Sequence, residues 1–182
     1  MQLIREQNEI FVAFITEAKA FCDTVDVHEK ISLGKFLRQL ASRIARLYAA
    51  AVQLSDVTSE ISDNSSRPSS EAFSHQQEST LTHALEEKLG SLNTYREIFD
   101  PHDEPSEEAV YGSLGRDLAE TYRDIRNVLA AAEWKKEEPL CDIMWDARFK
   151  FEHDWGEHAT KALRVIDSLL YRQYMEAEDR DA

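Results

Sequence analysis

The sequence has few of the residues that make turns. Glycine and proline together account for nine of the 182 residues, which is less than half of their usual share. Neither Asn-Gly nor Asp-Gly occurs, so the strongest short hairpin signal is missing. Because a chain with few turns must run in long elements, the composition predicts helices rather than strands.

Cysteine is equally scarce. The two cysteines, Cys22 and Cys141, lie far apart and belong to no Cys-x-x-Cys pair. This spacing argues against a disulfide scaffold and against a thiolate zinc site. Cys22 falls on an apolar helical stripe, which predicts a buried free thiol.

Long apolar runs are absent as well. The longest two, at residues 10–15 and 47–52, contain six residues each. Runs of this length are too short for the core of a signal peptide or for a membrane span. The sequence therefore predicts a cytoplasmic protein that does not use a membrane as its partner.

The net charge of −14 is unevenly distributed along the chain. Residues 1–54 carry seven basic and six acidic side chains, whereas residues 55–182 carry fourteen and twenty-nine. This polarity disfavours nucleic acid and anionic membranes as partners. It is compatible with a basic protein partner, with metal ions, or with solubility alone.

Apolar residues recur at three- and four-residue steps along most of the chain, which is typical of amphipathic helices. The pattern predicts an all-α bundle of about five helices, with Ser113 as the N-cap of the fourth. A long Ser-rich loop at 55–79 separates helices 2 and 3, within a single helical domain at 1–175 that a charged tail at 176–182 follows. The expected helices cover about residues 2–26, 30–54, 80–99, 114–136 and 139–174.

The segment from Trp145 to His158 places charged side chains among apolar ones. At about 100° per residue, its aromatic and aliphatic side chains fill an arc of roughly 180°. Arg148 and Glu152 lie in the middle of this arc, and His158 lies at its edge. One interpretation is an internal ion pair that joins this helix to its neighbours. Another is a pocket in which Arg148 binds a carboxylate or phosphate beside Glu152 and His158; a change of helical phase near Gly156 is the third.

Three acidic residues, Asp117, Glu120 and Asp124, lie on one side of the fourth helix. Carboxylates on a helix hold divalent metal ions in several helical proteins. These three flank the apolar stripe, however, and arginines lie three or four residues from Glu120, which is typical of a solvated, salt-bridged face. No Glu-x-x-His pair, phosphate-binding loop, catalytic triad or calcium loop is recognisable. The sequence therefore predicts no metal, cofactor or catalytic residue.

Three segments together resemble a known family. They are Tyr95–Pro101 (YREIFDP), Tyr111–Ile125 (YGSLGRDLAETYRDI) and Trp145–His158 (WDARFKFEHDWGEH), and they resemble the bacterial domain-of-unknown-function family 5063. The resemblance implies a helical domain without an assigned activity. The family pattern often has histidine just before the Trp-Gly pair, where this chain has Asp154 preceded by His153. The family pattern points to Asp100, Gly112, Asp117, Tyr122, Asp124, Arg148, Phe149, Trp155, Gly156 and His158.

Two functional hypotheses of different classes follow from these patterns. The first is a non-enzymatic protein-interaction module, either an adaptor or an immunity-like factor, that presents its acidic part to a basic partner. The second is a small-molecule or divalent-metal site in the helical core. Its candidate residues, which could equally form a structural network, are Arg148, Glu152, His158, Trp155, Asp100, Asp117, Tyr122 and Asp124.

Overall fold

A computed structural model describes residues 2–54, 72–97, 110–134 and 140–181 of the chain. Within these ranges the protein is all-α apart from one small sheet, as the sequence predicts. The helices are α1 (Gln2–Asp26), α2 (Leu33–Val52), α3 (His75–Leu89), α4 (Leu114–Trp134), α5 (Leu140–Lys150) and α6 (Gly156–Asp181). A π-helical turn, Phe151–Trp155, joins α5 to α6 without a break, so five helical rods form the bundle.

The apolar stripes of α1 and α2 form one side of the core. Phe14, Phe21 and Val25 of α1 are fully buried, as are Phe36 and Leu40 of α2. Helix α1 packs on α2 and α4, while α2 also packs on α6. The prediction for Cys22 is confirmed, because this residue is a free and buried cysteine. Burial raises the pKa of its thiol, since desolvation disfavours the thiolate.

Helix α3 begins earlier and ends earlier than the sequence predicts. It starts after Ser74, whose hydroxyl accepts the backbone N–H of Gln77 while the side chain of Gln77 accepts the backbone N–H of Ser74. This reciprocal capping box satisfies two helix-terminal donors, so residues 75–79 are helical rather than part of the loop. The helix ends at Gly90, which has a positive φ of 54° that glycine adopts without steric cost.

A small antiparallel sheet is the feature that the sequence does not predict. Strand β1 (Thr94–Arg96), expected to be helical, pairs with strand β2 (Tyr111–Ser113), and Tyr95 faces Gly112 in the register. Each strand has only three residues, too short for an alternating pattern to be visible in the sequence. A 14-residue segment, 97–110, separates them instead of a two-residue turn, so no hairpin signal marks the pair.

Helix α4 lies at the centre of the molecule and packs on α1, α3, α5 and α6. It follows β2 directly, and the hydroxyl of Ser113 accepts the backbone N–H of Arg116 at 3.2 Å. Ser113 is therefore a helix N-cap, as predicted. Because α4 has neighbours on most sides, side chains that flank its apolar stripe are also buried.

The π turn changes the phase of the last helical rod. The backbone N–H of Gly156 donates to the carbonyl of Phe151, five residues earlier, so the turn contains one more residue than an α-helical turn. Trp155 is fully buried as expected, but the buried apolar residues of α5 are Ile143, Met144 and Ala147. The expectation that Phe149 faces the core is wrong, since it is 44% exposed.

Several predicted features lie outside the described residues. They are most of the Ser-rich loop (55–71) and the acidic loop that contains Asp100. Helix α6 extends to Asp181, past the predicted end at residue 174, so the tail from 176 is mostly helical in this structure. Among the described residues, no helix is both long enough and apolar enough to cross a membrane.

Candidate functional site

His158 lies between two carboxylates of α4. Its Nδ1 is 2.9 Å from Oδ1 of Asp117, and its Nε2 is 2.7 Å from Oε2 of Glu120. Asp117 and Glu120 are three residues apart, so they lie on the same face of α4. His158 reaches them because it lies three residues after the π turn, on the side of α6 that packs on α4.

The two contacts fix the protonation state of His158. Hydrogen bonds to Asp117 and Glu120 raise the pKa of His158 to about 10, so the ring is an imidazolium at neutral pH and both nitrogens donate. The hydrogen bond from His158 in turn lowers the pKa of Glu120. Because both nitrogens donate, the imidazolium has no lone pair that could accept a proton, so His158 in this state is not a general base.

Tyr95 of β1 extends the network on the other side of Asp117. Its hydroxyl donates to Oδ2 of Asp117 at 2.5 Å, and burial together with this bond raises its pKa. The ring passes over Gly112 of β2, where a Cβ would collide with the Tyr95 ring. A residue larger than glycine at 112 would therefore displace Tyr95 from Asp117, which explains why the two small strands matter for the site.

Replacing Tyr95 with phenylalanine is expected to lower the free energy of unfolding by about 1–2 kcal/mol. The loss arises because Oδ2 of the buried Asp117 loses its hydrogen-bond donor. Urea denaturation of the wild type and the variant measures the difference. Tyr111→Phe on β2 is the matched control, since Tyr111 is 63% exposed and its loss should change stability by less than about 0.5 kcal/mol. Equal effects of the two changes would contradict a role for the Tyr95 hydroxyl.

A second branch of the network is centred on Arg123. Its guanidinium donates to Asp124 at 3.1 Å and to Glu78 of α3 at 2.8 Å, and lies 3.5 Å from Asp154 of the π turn. Asp154 is also 3.9 Å from Nε2 of His158, so the two branches are connected. Burial, and secondarily the nearby Asp154, raise the pKa of Asp124 to about 6 despite Arg123.

The expectation of a solvated acidic face on α4 is wrong. Asp117 and Asp124 are only 5% and 4% exposed, and Glu120 is half-buried. The physical reason is that α3, α6 and β1 cover this side of α4. His158 and Tyr95 contact both oxygens of Asp117, and Arg123 contacts Oδ1 of Asp124. Oδ2 of Asp124 is buried without a hydrogen-bond partner among the described residues, so the cost of burying this carboxyl group is only partly offset.

Arg148 and Glu152 form the expected ion pair, but not in the core. Nε of Arg148 donates to Glu152 at 2.8 Å, and its Nη1 donates to the carbonyl of Leu54 at the end of α2. The side chain of Glu152 is 44% exposed and that of Arg148 is 30% exposed. The pair therefore fastens α5 to α2 at the surface, while His158 binds α4 through other partners. The extra residue of the π turn explains the difference, because it rotates Ala147 inward and Arg148 outward.

The remaining candidates have separate positions. Trp155 is fully buried against Phe14 and Phe151. The hydroxyl of Tyr122 donates to Asp26 at 2.6 Å, so Tyr122 connects α4 to the end of α1 rather than to His158. Asp100 lies outside the described residues. Of the predicted residues, the structure brings Asp117 into direct contact with His158 and Arg148 into direct contact with Glu152.

The network connects neighbouring elements of the fold through ion pairs and hydrogen bonds, and carboxylates lie at its outer edge. Among the described residues, no group of three or more His, Cys, Asp or Glu is arranged to hold a metal ion. Sequence reasoning missed Tyr95 and Glu78 as members of the network, and it treated Glu120 and Arg123 as solvated. Only the position of Tyr95 at the start of the YREIFDP segment signalled that residue.

Comparison with known proteins supports the fold described above. The chain is similar to the crystal structure of protein BF1032 from Bacteroides fragilis, a Northeast Structural Genomics Consortium target. The TM-score is 0.74 at 19% identity, over 88% of this chain and 91% of that one, a likeness that concerns the fold alone. No curated protein matches the sequence. Residues 5–172 match the family described as domain of unknown function DUF5063, and the chain therefore belongs to that family.

Proposed function

We propose that this chain is a non-enzymatic protein-interaction module that binds a basic partner. The proposed surface is the acidic face, which we define as Glu120, Asp154 and Glu157 around His158. These residues come from α4, the π turn and the first turn of α6, so the packing of α6 on α4 holds them in one place.

One observation carries this proposal: the carboxylates of the network outnumber its cations. Glu78, Asp117, Glu120, Asp124 and Asp154 share the positive charges of Arg123 and His158, and the exposed His75 adds a contact at Glu78 only. The excess negative charge is accessible at the outer edge. There, the side chain of Asp154 is 45% exposed, and that of Glu157, which also pairs with Lys161 at 2.7 Å, is 68% exposed.

The occupied nitrogens of His158 favour a binding role over catalysis. A general acid or base needs a proton that exchanges near neutral pH, whereas two carboxylates hold the proton of His158. A fixed imidazolium instead positions Glu120 and Asp154 for an incoming lysine or arginine. Electrostatic complementarity of this kind increases association rates and specificity.

The sequence agrees with this choice of partner. Residues 55–182, which supply the whole acidic face, carry all of the net negative charge, since residues 1–54 have one more basic than acidic side chain. Such a surface attracts basic proteins and repels nucleic acid and anionic membranes. The two free cysteines fit a reducing compartment, and we place the protein in the bacterial cytoplasm.

A lysine-rich peptide labelled with a fluorophore tests the proposal by fluorescence anisotropy. We expect salt-dependent binding to the wild type, weakened about fivefold or more by the double change Asp154→Asn and Glu157→Gln. Each lost charge removes a contact that is worth a few tenths to about 1 kcal/mol. Glu120 is left intact in this variant because it holds His158.

A second double variant, Glu29→Gln with Glu87→Gln, is the matched control. It removes the same charge from exposed positions on the turn before α2 and on α3, away from the acidic face. Its affinity for the peptide should stay within about twofold of the wild type. Equal weakening of both double variants would show that net charge alone attracts the peptide, and would contradict the proposal, as would binding that ignores ionic strength.

A further inference from the structure

A groove next to the sheet has the opposite charge to the rest of the protein. It has a volume of about 500 Å³ and lies between β1 with its preceding turn and the outer face of α6. We call it the arginine groove, because Arg96, Arg164 and Arg172 line it and none of its lining residues is acidic. The chain as a whole has a net charge of −14, so a cavity without any carboxylate is not what composition alone would give.

Among the described residues, the three arginines have none of the carboxylate partners that other cations of this protein contact. Arg123, Arg148 and Lys161 each contact a carboxylate. Within the described part of the chain, the guanidinium groups of Arg96, Arg164 and Arg172 make no ion pair or hydrogen bond. Three like charges around one groove repel one another, and an anion in the groove would remove that repulsion.

The spacing of the groove residues suits an elongated ligand. Arg164, Ser168 and Arg172 lie on successive turns of α6, about 6 Å apart along the helix axis. Arg96 faces them from β1. Two guanidinium groups about 12 Å apart along one helix, with a hydroxyl between them, match two oxyanion groups on one molecule better than a single ion.

The groove also has an apolar part. Leu92, Val165 and Leu169 line it beside the arginines, and Val165 is 9% exposed. Small-molecule sites are commonly cavities of about 300–1,000 Å³ with apolar walls and a few convergent polar groups. The groove meets this description in size and in composition.

We propose that the arginine groove binds a small molecule that carries two oxyanion groups, either phosphates or carboxylates. Arginine is suited to both, since its planar guanidinium donates two parallel hydrogen bonds to either group. This site is independent of the acidic face and takes a ligand of the opposite charge. Failure of one proposal therefore leaves the other standing.

Isothermal titration calorimetry of the full chain tests the site with two probes, inorganic pyrophosphate and citrate, at constant ionic strength. We expect at least one probe to bind with a dissociation constant below about 1 mM. Tighter binding of pyrophosphate would identify phosphate as the preferred group, and tighter binding of citrate would identify carboxylate. Absence of binding for both probes at about ten times that concentration would overturn the proposal.

Substitutions separate the groove from general attraction to cations. Arg164→Gln and Arg172→Gln should each weaken binding about tenfold, because each removes a charge-assisted pair of hydrogen bonds. Arg38→Gln, an exposed arginine of α2, is the matched control and should bind like the wild type. All three residues are exposed, so the variants should fold. Equal binding by all three variants and the wild type, or an equal loss in all three, would also overturn the proposal.

Discussion

Replacing His158 with glutamine is expected to lower the free energy of unfolding by about 3 kcal/mol near pH 6, and by less than about 1 kcal/mol near pH 10. At pH 6 the variant leaves two carboxylates of α4 without their shared cation. The pKa of His158 is raised to about 10 in the folded protein, against about 6.5 in the unfolded chain. Its contribution is therefore complete below pH 6.5 and is lost as the pH rises through about 10.

Urea denaturation at several pH values measures this effect as the difference between wild type and variant. The difference at each pH cancels the contributions of the other titrating groups, which both proteins share. The groups that face His158 are Asp117 and Glu120 from α4 and Asp154 from the π turn, and they remain in both. The slope should not exceed about 1.4 kcal/mol per pH unit, the limit for one proton.

His153 provides the matched control for this experiment. It lies five residues before His158 and is exposed, and its ring bonds the carbonyl of Phe149 and stacks on the Phe149 ring in the same helical rod. His153→Gln should change the free energy of unfolding by less than about 0.5 kcal/mol at every pH. A pH-independent loss in the His158 variant would show that packing, rather than the imidazolium, stabilises the site.

The second large effect is expected from Gly156→Ala. A Cβ at this position would collide with the carbonyl oxygen of Phe151 and press on its ring, so the π turn could not keep its geometry. We expect a loss of about 2–3 kcal/mol in the free energy of unfolding, in the range of overpacked cores. In the folded variant His158 should move from Asp117, and NMR titration should show its pKa well below 10.

Gly34→Ala is the control for the general effect of alanine on a helix. Gly34 lies in the first turn of α2, where alanine should change stability by less than about 1 kcal/mol. If the Gly156 variant keeps the stability and the His158 pKa of the wild type, the π turn tolerates a side chain. The link between this turn and the site would then be lost.

Much of the bundle follows from periodicity in the sequence. The buried stripes of α1, α2 and α4 repeat at helical steps, so Phe14, Leu40 and Ile125 were identifiable as core residues. Ser113 and Cys22 were also predictable, because a cap and a buried thiol depend on local sequence alone. The start of α3 was not, since the capping box of Ser74 and Gln77 lies within a run rich in serine.

The candidate site shows where sequence reasoning stops. Asp117 and His158 were both candidates, but their contact joins positions 41 residues apart, and nothing in either segment specifies the partner. The π turn adds a second difficulty, because one extra residue changes the direction in which every side chain on one side of the turn points. The helical phase predicted for the residues from Trp155 onward is correct. Extending the same phase back to Arg148 and Glu152 places these two surface residues in the core. The role of Tyr95 could not be predicted, because it depends on a sheet whose strands are too short to detect in the sequence.

The π turn has a consequence for comparing this chain with distant relatives. A relative with an uninterrupted α-helix here would have one residue fewer between the positions of Ala147 and Ala159, both fully buried in this chain. An alignment without a gap would then pair inward residues on one side of the turn with outward residues on the other. The correct alignment opens a one-residue gap within Phe151–Trp155, where an insertion changes which neighbours the rod touches and leaves the rod continuous.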